Sequence, residues 1–91
     1  MVGCCCLAII PNLTRGLRPF AVVENVIVNP SWRNRGVATA LLARAGQLAR
    51  EAVCYKLMLM SNRKRVDAHR LYRKVGFEGD TKLAFDMRLE R

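Results

Sequence analysis

The chain has 91 residues, with sixteen Lys and Arg against seven acids, a formal net charge of +9, and 52% hydrophobic content. This balance excludes an intrinsically disordered chain and leaves room for one small core; the surplus of cations fits a polyanionic ligand, nucleic acid or simply a basic solvated surface. No apolar stretch is long enough for a membrane span and residues 1–10 lack the basic start of a signal peptide, so a cytoplasmic setting is expected.

Residues 2–10 form an apolar run closed by Pro11, which predicts a strand. Cys4, Cys5 and Cys6 fall within it and Cys54 stands apart. That is neither a disulfide framework nor the paired Cys-x-x-Cys spacing of a zinc site, so buried reduced thiols and no metal are expected. A basic loop over residues 11–19 then returns the chain to a second strand at residues 21–28, and the two make a hairpin. Residues 21–28 are β-branched and apolar apart from Glu24 and Asn25. Simple alternation puts Glu24, Val26 and Val28 on one face. An acid on so apolar a strand stands at a sheet end, is solvated, or is held for chemistry.

Pro30 stops this strand. From Val37 onward, apolar residues at 37, 38, 41, 42, 45, 48, 49, 52 and 53 recur at helical spacing, with Arg44, Gln47, Arg50 and Glu51 opposite them. A third apolar run at residues 57–60 completes strand, helix, strand, a crossover that normally pairs its strands in parallel. The helix then begins just past the carboxyl end of the preceding strand, with unpaired amides and the positive end of its dipole facing outward. This is an anion site suited to phosphate. Gly36 opens the approach to those amides, and Arg33 and Arg35 add positive charge. Neither Gly-x-x-x-x-Gly-Lys nor Gly-x-Gly-x-x-Gly is present.

The loop at residues 61–65 is basic. A second helix is predicted from Val66 or Asp67 to a glycine cap at Gly76, with Ala68, Leu71, Tyr72 and Val75 on its apolar side and His69 at the surface. Phe77 starts a short return strand, Gly79 and Asp80 make a turn, and alternation of Leu83, Phe85, Met87 and Leu89 predicts a half-buried antiparallel strand at residues 82–89.

Two motifs resemble one family. Arg33-x-x-Gly36-x-Ala38 is similar to the Gln/Arg-x-x-Gly-x-Gly/Ala signature of the Gcn5-related N-acetyltransferase (GNAT) superfamily, and it lies between strand and helix as that signature does. Ala68-His69-Arg70-Leu71-Tyr72 through Gly76-Phe77 resembles the family's second signature, Ala-x-x-Leu/Phe-Tyr-x-x-x-Gly-Phe. The Cys54 to Leu59 stretch resembles the glucosamine-phosphate N-acetyltransferase branch. The resemblance covers nearly all of the chain from about Leu7.

It implies an α/β fold of GNAT type: a mixed sheet with a central parallel strand pair and two helices, in one domain over residues 1–91. It also implies acetyl-CoA as cofactor and acetyl transfer to a primary amine, on a small molecule or a peptide. Backbone amides near Arg35, Gly36, Val37 and Ala38 would hold pyrophosphate, Thr39 would offer a hydroxyl, and Val26, Ile27 and Val28 would pair with pantetheine. Glu24 would be the general base, the Val28 amide an oxyanion donor and Tyr72 the acid for the leaving thiolate. Two departures stand out. Asn62 lies six residues before Ala68, where many relatives place an Asn three before, and the chain starts at what would be the family's third strand, so it corresponds to the cofactor half.

Two other readings remain open at this point: coenzyme A binding without turnover, and a basic nucleic-acid module using Arg15, Arg18, Arg33, Arg35 and residues 63–65. Against the latter, only Phe20 and Trp32 accompany the basic loops as stacking aromatics. The uncharged first strand, lacking a neighbour on one side, predicts a homo-oligomer formed through that edge.

Overall fold

The apolar runs form the elements their patterns predict: β1 (Gly3–Ile10), β2 (Phe20–Val28), α1 (Val37–Glu51), β3 (Leu57–Leu59) and α2 (Val66–Val75). The computed structural model describes residues 2–13, 15–61 and 63–90, with the Arg15 side chain outside the description. The expectations for Arg15 and Asn62 therefore lie outside the described residues. The chain divides into two compact units, Met1–Leu59 and Met60–Arg91.

In the first unit the sheet order is β1-β2-β3. β1 and β2 pair antiparallel, and β2 pairs with β3 in parallel through Ala21 with Leu57, Val22 with Met58 and Val23 with Leu59. α1 packs on β1 and β2. Its stripe of Leu42, Ala45 and Ala49 is buried, as are Ala21 and Val23. Small residues at 45 and 49 let the helix lie close to the sheet, and Leu42 fills the gap between them. Truncating Leu42 to Ala would cost about 2–5 kcal/mol.

Closest approach comes at Gly3, where a Cβ would stand 2.9 Å from both the Ile27 carbonyl oxygen and Val37 Cγ1. Glycine is required there by space. The Cys5 thiol lies on the same face of β1, and burial pushes its pKa up, with Cys6 and Cys4 adding to the effect. It stays a protonated thiol.

β2 is not regular. Cys6 opposes Glu24 and Cys4 opposes Ile27, so two residues of β2, Asn25 and Val26, span one of β1. Asn25 takes a left-handed φ of 55°, which Asn tolerates better than most residues. The extra residue corrects the simple alternation: Glu24 and Ile27 share the face that α1 does not cover, whereas Val28 shares a face with Gly3 and Val23, the side packed against α1.

After α1 the chain turns through Val53 at φ 61°, and Arg18 reaches across to it. Its Nε–H donates to the Val53 carbonyl at 3.2 Å and Nη2 to that of Cys54 at 3.4 Å, which sets a cation at the negative end of the helix. Tyr55 meets Phe20 edge-on, and Lys56 Nζ lies 5.2 Å from the Phe20 ring centre. Arg18 thus closes the α1 to β3 connection, and Phe20 is engaged with Tyr55 and Lys56.

The second unit centres on α2. Tyr72 is buried and meets Phe77 edge-on at 6.4 Å, while the helix closes with Gly76 at φ 123° and Phe77 N–H donating to Tyr72 O at 2.9 Å. His69 is half-buried beside the Tyr72 ring, which corrects its placement at the surface. The strand expected at residues 82–89 does not form, nor does the short one at Phe77. Leu83, Phe85, Met87 and Leu89 are exposed, Phe85 by 90%. Alternation gives a segment two faces, but a strand exists only when a neighbour completes its hydrogen-bond ladder.

Candidate functional site

The turn between β2 and α1 is built in three steps. Asn29 Oδ1 accepts from the Ser31 amide at 2.9 Å and starts a 3-10 turn over Pro30–Trp32. The chain then reverses through two left-handed residues, Asn34 at φ 63° and Gly36 at φ 78°. Last, Ala40 N–H donates to the Gly36 carbonyl at 3.0 Å as the first bond of α1. The amides of Val37, Ala38 and Thr39 precede that bond and are the helix's outward-facing donors.

Gly36 serves this site in two ways. Its left-handed φ is one that a β-branched residue adopts only under strain, and the direction its Cβ would take is open, with nothing within 4 Å. A ligand can therefore reach the backbone. Arg33 and Arg35 are exposed and, among the described residues, take part in no ion pair; those present join Arg70 to Asp67 and Arg88 to Asp86 and Glu90. Three free amides, an open glycine and two unneutralised guanidinium groups suit a polyphosphate.

Beside this turn β2 offers a second feature. Its ladder with β3 covers Ala21–Val23 and stops, so from Glu24 onward β2 is paired among the described residues with β1 alone. Asn29 N–H donates to Val2 O at 2.7 Å, so alternation turns the N–H and C=O groups of Val28 away from β1, while Val26 lies in the irregular part of the strand. Those groups can pair with an extended, amide-bearing ligand. Ile27 points its backbone back into the β1 ladder, which removes it from the expected pantetheine contacts.

Glu24 is exposed on the face opposite α1. The first unit thus brings together the end of β2 and the turn at Arg33 to Thr39, while Tyr72 belongs to α2 in the second unit. Reading the sequence finds Trp32 only as an aromatic beside the basic loops and misses its contact with Arg35, whose guanidinium carbon lies 5.0 Å from the ring centre. The signal was the Trp-x-x-Arg spacing across a tight turn. Among the described residues no group of three or more His, Cys, Asp or Glu could hold a metal ion, and no helix is long and apolar enough to cross a membrane.

The sequence profile of the Acetyltransferase (GNAT) family matches residues 1–77 of this chain. The chain belongs to the GNAT acetyltransferase family. It is 38% identical over 77 residues to a glucosamine 6-phosphate N-acetyltransferase of Trypanosoma brucei brucei, a match that covers 85% of this chain and 50% of that protein. Over 67 residues it is 37% identical to an aminoglycoside N(6')-acetyltransferase type 1 of Stenotrophomonas maltophilia, covering 74% of this chain and 44% of that one. A solved Trypanosoma brucei acetyltransferase superposes with a TM-score of 0.83 at 34% identity, over 99% of this chain and 59% of the other. The mixed sheet and two helices are therefore a GNAT fold, and this GNAT chain spans about half the length of the two named relatives.

Proposed function

We propose that residues 1–91 form one acetyl-CoA-dependent N-acetyltransferase domain acting on a primary amine. The observation that carries this reading is the conjunction at the end of β2: free amides and an open Gly36 for pyrophosphate, next to Val28 groups turned away from β1, with Val26 beside them, for pantetheine. Bound acetyl-CoA would supply an activated acetyl thioester. Glu24, directly or through water, takes the proton of the attacking amine; the Val28 N–H donates to the acyl oxygen as negative charge develops there. Tyr72 gives its proton to the departing sulfur, a role it takes from the Ala68 to Phe77 motif. Sugar-phosphate and aminoglycoside amines are the acceptor classes suggested by the names of the relatives.

A second reading, coenzyme A binding without turnover, draws on the irregularity at Asn25, which sets Glu24 on the opposite face from Val28. Both readings require the cofactor to bind. Calorimetry with coenzyme A tests this: Gly36→Val, which strains the left-handed turn and projects a side chain over the amides, should abolish binding while circular dichroism stays native. Equal affinity in the two proteins would show that the site is elsewhere. Release of free thiol from acetyl-CoA in the presence of glucosamine 6-phosphate or an aminoglycoside then separates turnover from binding alone.

For assembly, we propose a homodimer through the free edge of β1, which bears no charge from Gly3 to Ile10 and pairs among the described residues with β2 alone.

A further inference from the structure

We infer that Trp32 is a positioning residue for the cofactor's phosphates, acting through Arg35; the inference rests on the coenzyme A reading above. The Arg35 guanidinium carbon lies 5.0 Å from the centre of the Trp32 ring, within the range where a cation is attracted to the face of an aromatic quadrupole. The Trp32 backbone is fixed in its turn. Its amide donates to the Asn29 carbonyl at 2.8 Å, and the Asn29 side chain caps the same turn. No acid neutralises Arg35 among the described residues, so the ring holds the guanidinium in place without cancelling its charge.

An exposed arginine ordinarily explores many rotamers, and a ligand that captures it must order a long side chain. A preformed stack lowers that ordering cost. Arg35 stands two residues before Val37, the first of the free helix amides, so its charge belongs to the same turn as those donors. Trp32 is 41% exposed, so part of its surface stays open on the basic turn. Its contribution on this reading is to raise affinity for a phosphate at the nucleotide end of coenzyme A.

A double-mutant cycle measured by calorimetry with coenzyme A tests the inference. Trp32→Ala should weaken binding about threefold to fivefold, in line with an exposed cation–π contact, and Trp32→Phe, which keeps an aromatic face, should recover most of the loss. In an Arg35→Ala background Trp32→Ala should have no further effect. Comparing coenzyme A with dephospho-coenzyme A assigns the phosphate: a Trp32 effect seen only with coenzyme A places it at the 3′-phosphate, and an equal effect with both places it at the pyrophosphate, either result upholding the inference. Trp32 is the sole tryptophan of the chain, so its fluorescence gives a second measurement. Arg35→Ala should make it more accessible to acrylamide. Unchanged affinity in Trp32→Ala, an equal penalty with and without Arg35, or unchanged quenching would overturn the inference. Failure of the wild-type chain to bind coenzyme A would overturn the broader reading instead.

Discussion

Gly3 and Val37 are so close that a Cβ on the glycine would stand 2.9 Å from Val37 Cγ1. Val37 opens α1, so this contact sets how near the helix start lies to the sheet. Gly3→Ala should lower unfolding free energy by about 1–3 kcal/mol through overpacking. It should also weaken coenzyme A binding, because any shift of the helix start moves the amide cradle. Urea denaturation and calorimetry on the same preparation check both effects; a stable variant with unaltered affinity would show that the first turn of α1 moves freely.

Tyr72 and Phe77 keep their edge-on contact when only the hydroxyl is removed. Tyr72→Phe should therefore fold normally and bind cofactor normally, while the rate of thiol release falls ~100-fold, as expected for loss of a general acid. Kinetics with any accepted amine decide it, and an unchanged rate would return Tyr72 to a purely packing role.

Val53 carries a β-branched side chain at φ 61° and is 57% exposed. The left-handed conformation costs an L-residue about 1–2 kcal/mol, and little packing is lost if the side chain is removed. Part of that relief is offset by the greater freedom of glycine in the unfolded chain. Val53→Gly should thus stabilise the protein modestly, seen as a higher thermal midpoint; a fall would mean that the valine packs better than its exposure suggests.

Cys5 should make stability fall in alkaline solution. Its folded pKa is raised above the ordinary value near 8.5, so the folded state holds the proton more tightly than the unfolded one. Stability is then fully present below the unfolded pKa and is lost as pH rises from there through the folded pKa. Urea denaturation under reducing conditions at neutral pH and above pH 9 should show this loss, and Cys5→Ala should reduce it. An identical alkaline loss in both proteins would assign it to other groups.

Ile9 is 45% exposed on β1. If that edge joins two copies, light scattering at micromolar concentration should report a dimer, and Ile9→Lys should shift it toward monomer by placing charge on the pairing edge. A well-folded wild-type monomer would rule out the interface.

Much of this architecture was legible from periodicity. The spacing of Leu42, Ala45 and Ala49 showed both the helix and its buried face, and Gly76 marked the end of α2 because few other residues take its φ. The face of Glu24 was not legible, since alternation assumes no inserted residue and Asn25 is only weakly marked as one. Residues 82–89 were misread because the pattern reports amphipathicity, whereas pairing depends on a partner strand. Trp32 was read only as an aromatic beside the basic loops, because its contact with Arg35 depends on a turn that brings the guanidinium back over the ring.

Asn25 also bears on how much cofactor the fold can admit. Deleting this one residue would leave each side chain of β2 on its present face while straightening the strand. A regular β2 would favour further pairing along its free side past Val23, occupying the backbone groups that the cofactor reading assigns to pantetheine. A single-codon deletion in the middle of an otherwise ordinary strand would thus act as a closed door, leaving the helix cradle intact but with nowhere for the arm of the cofactor to go.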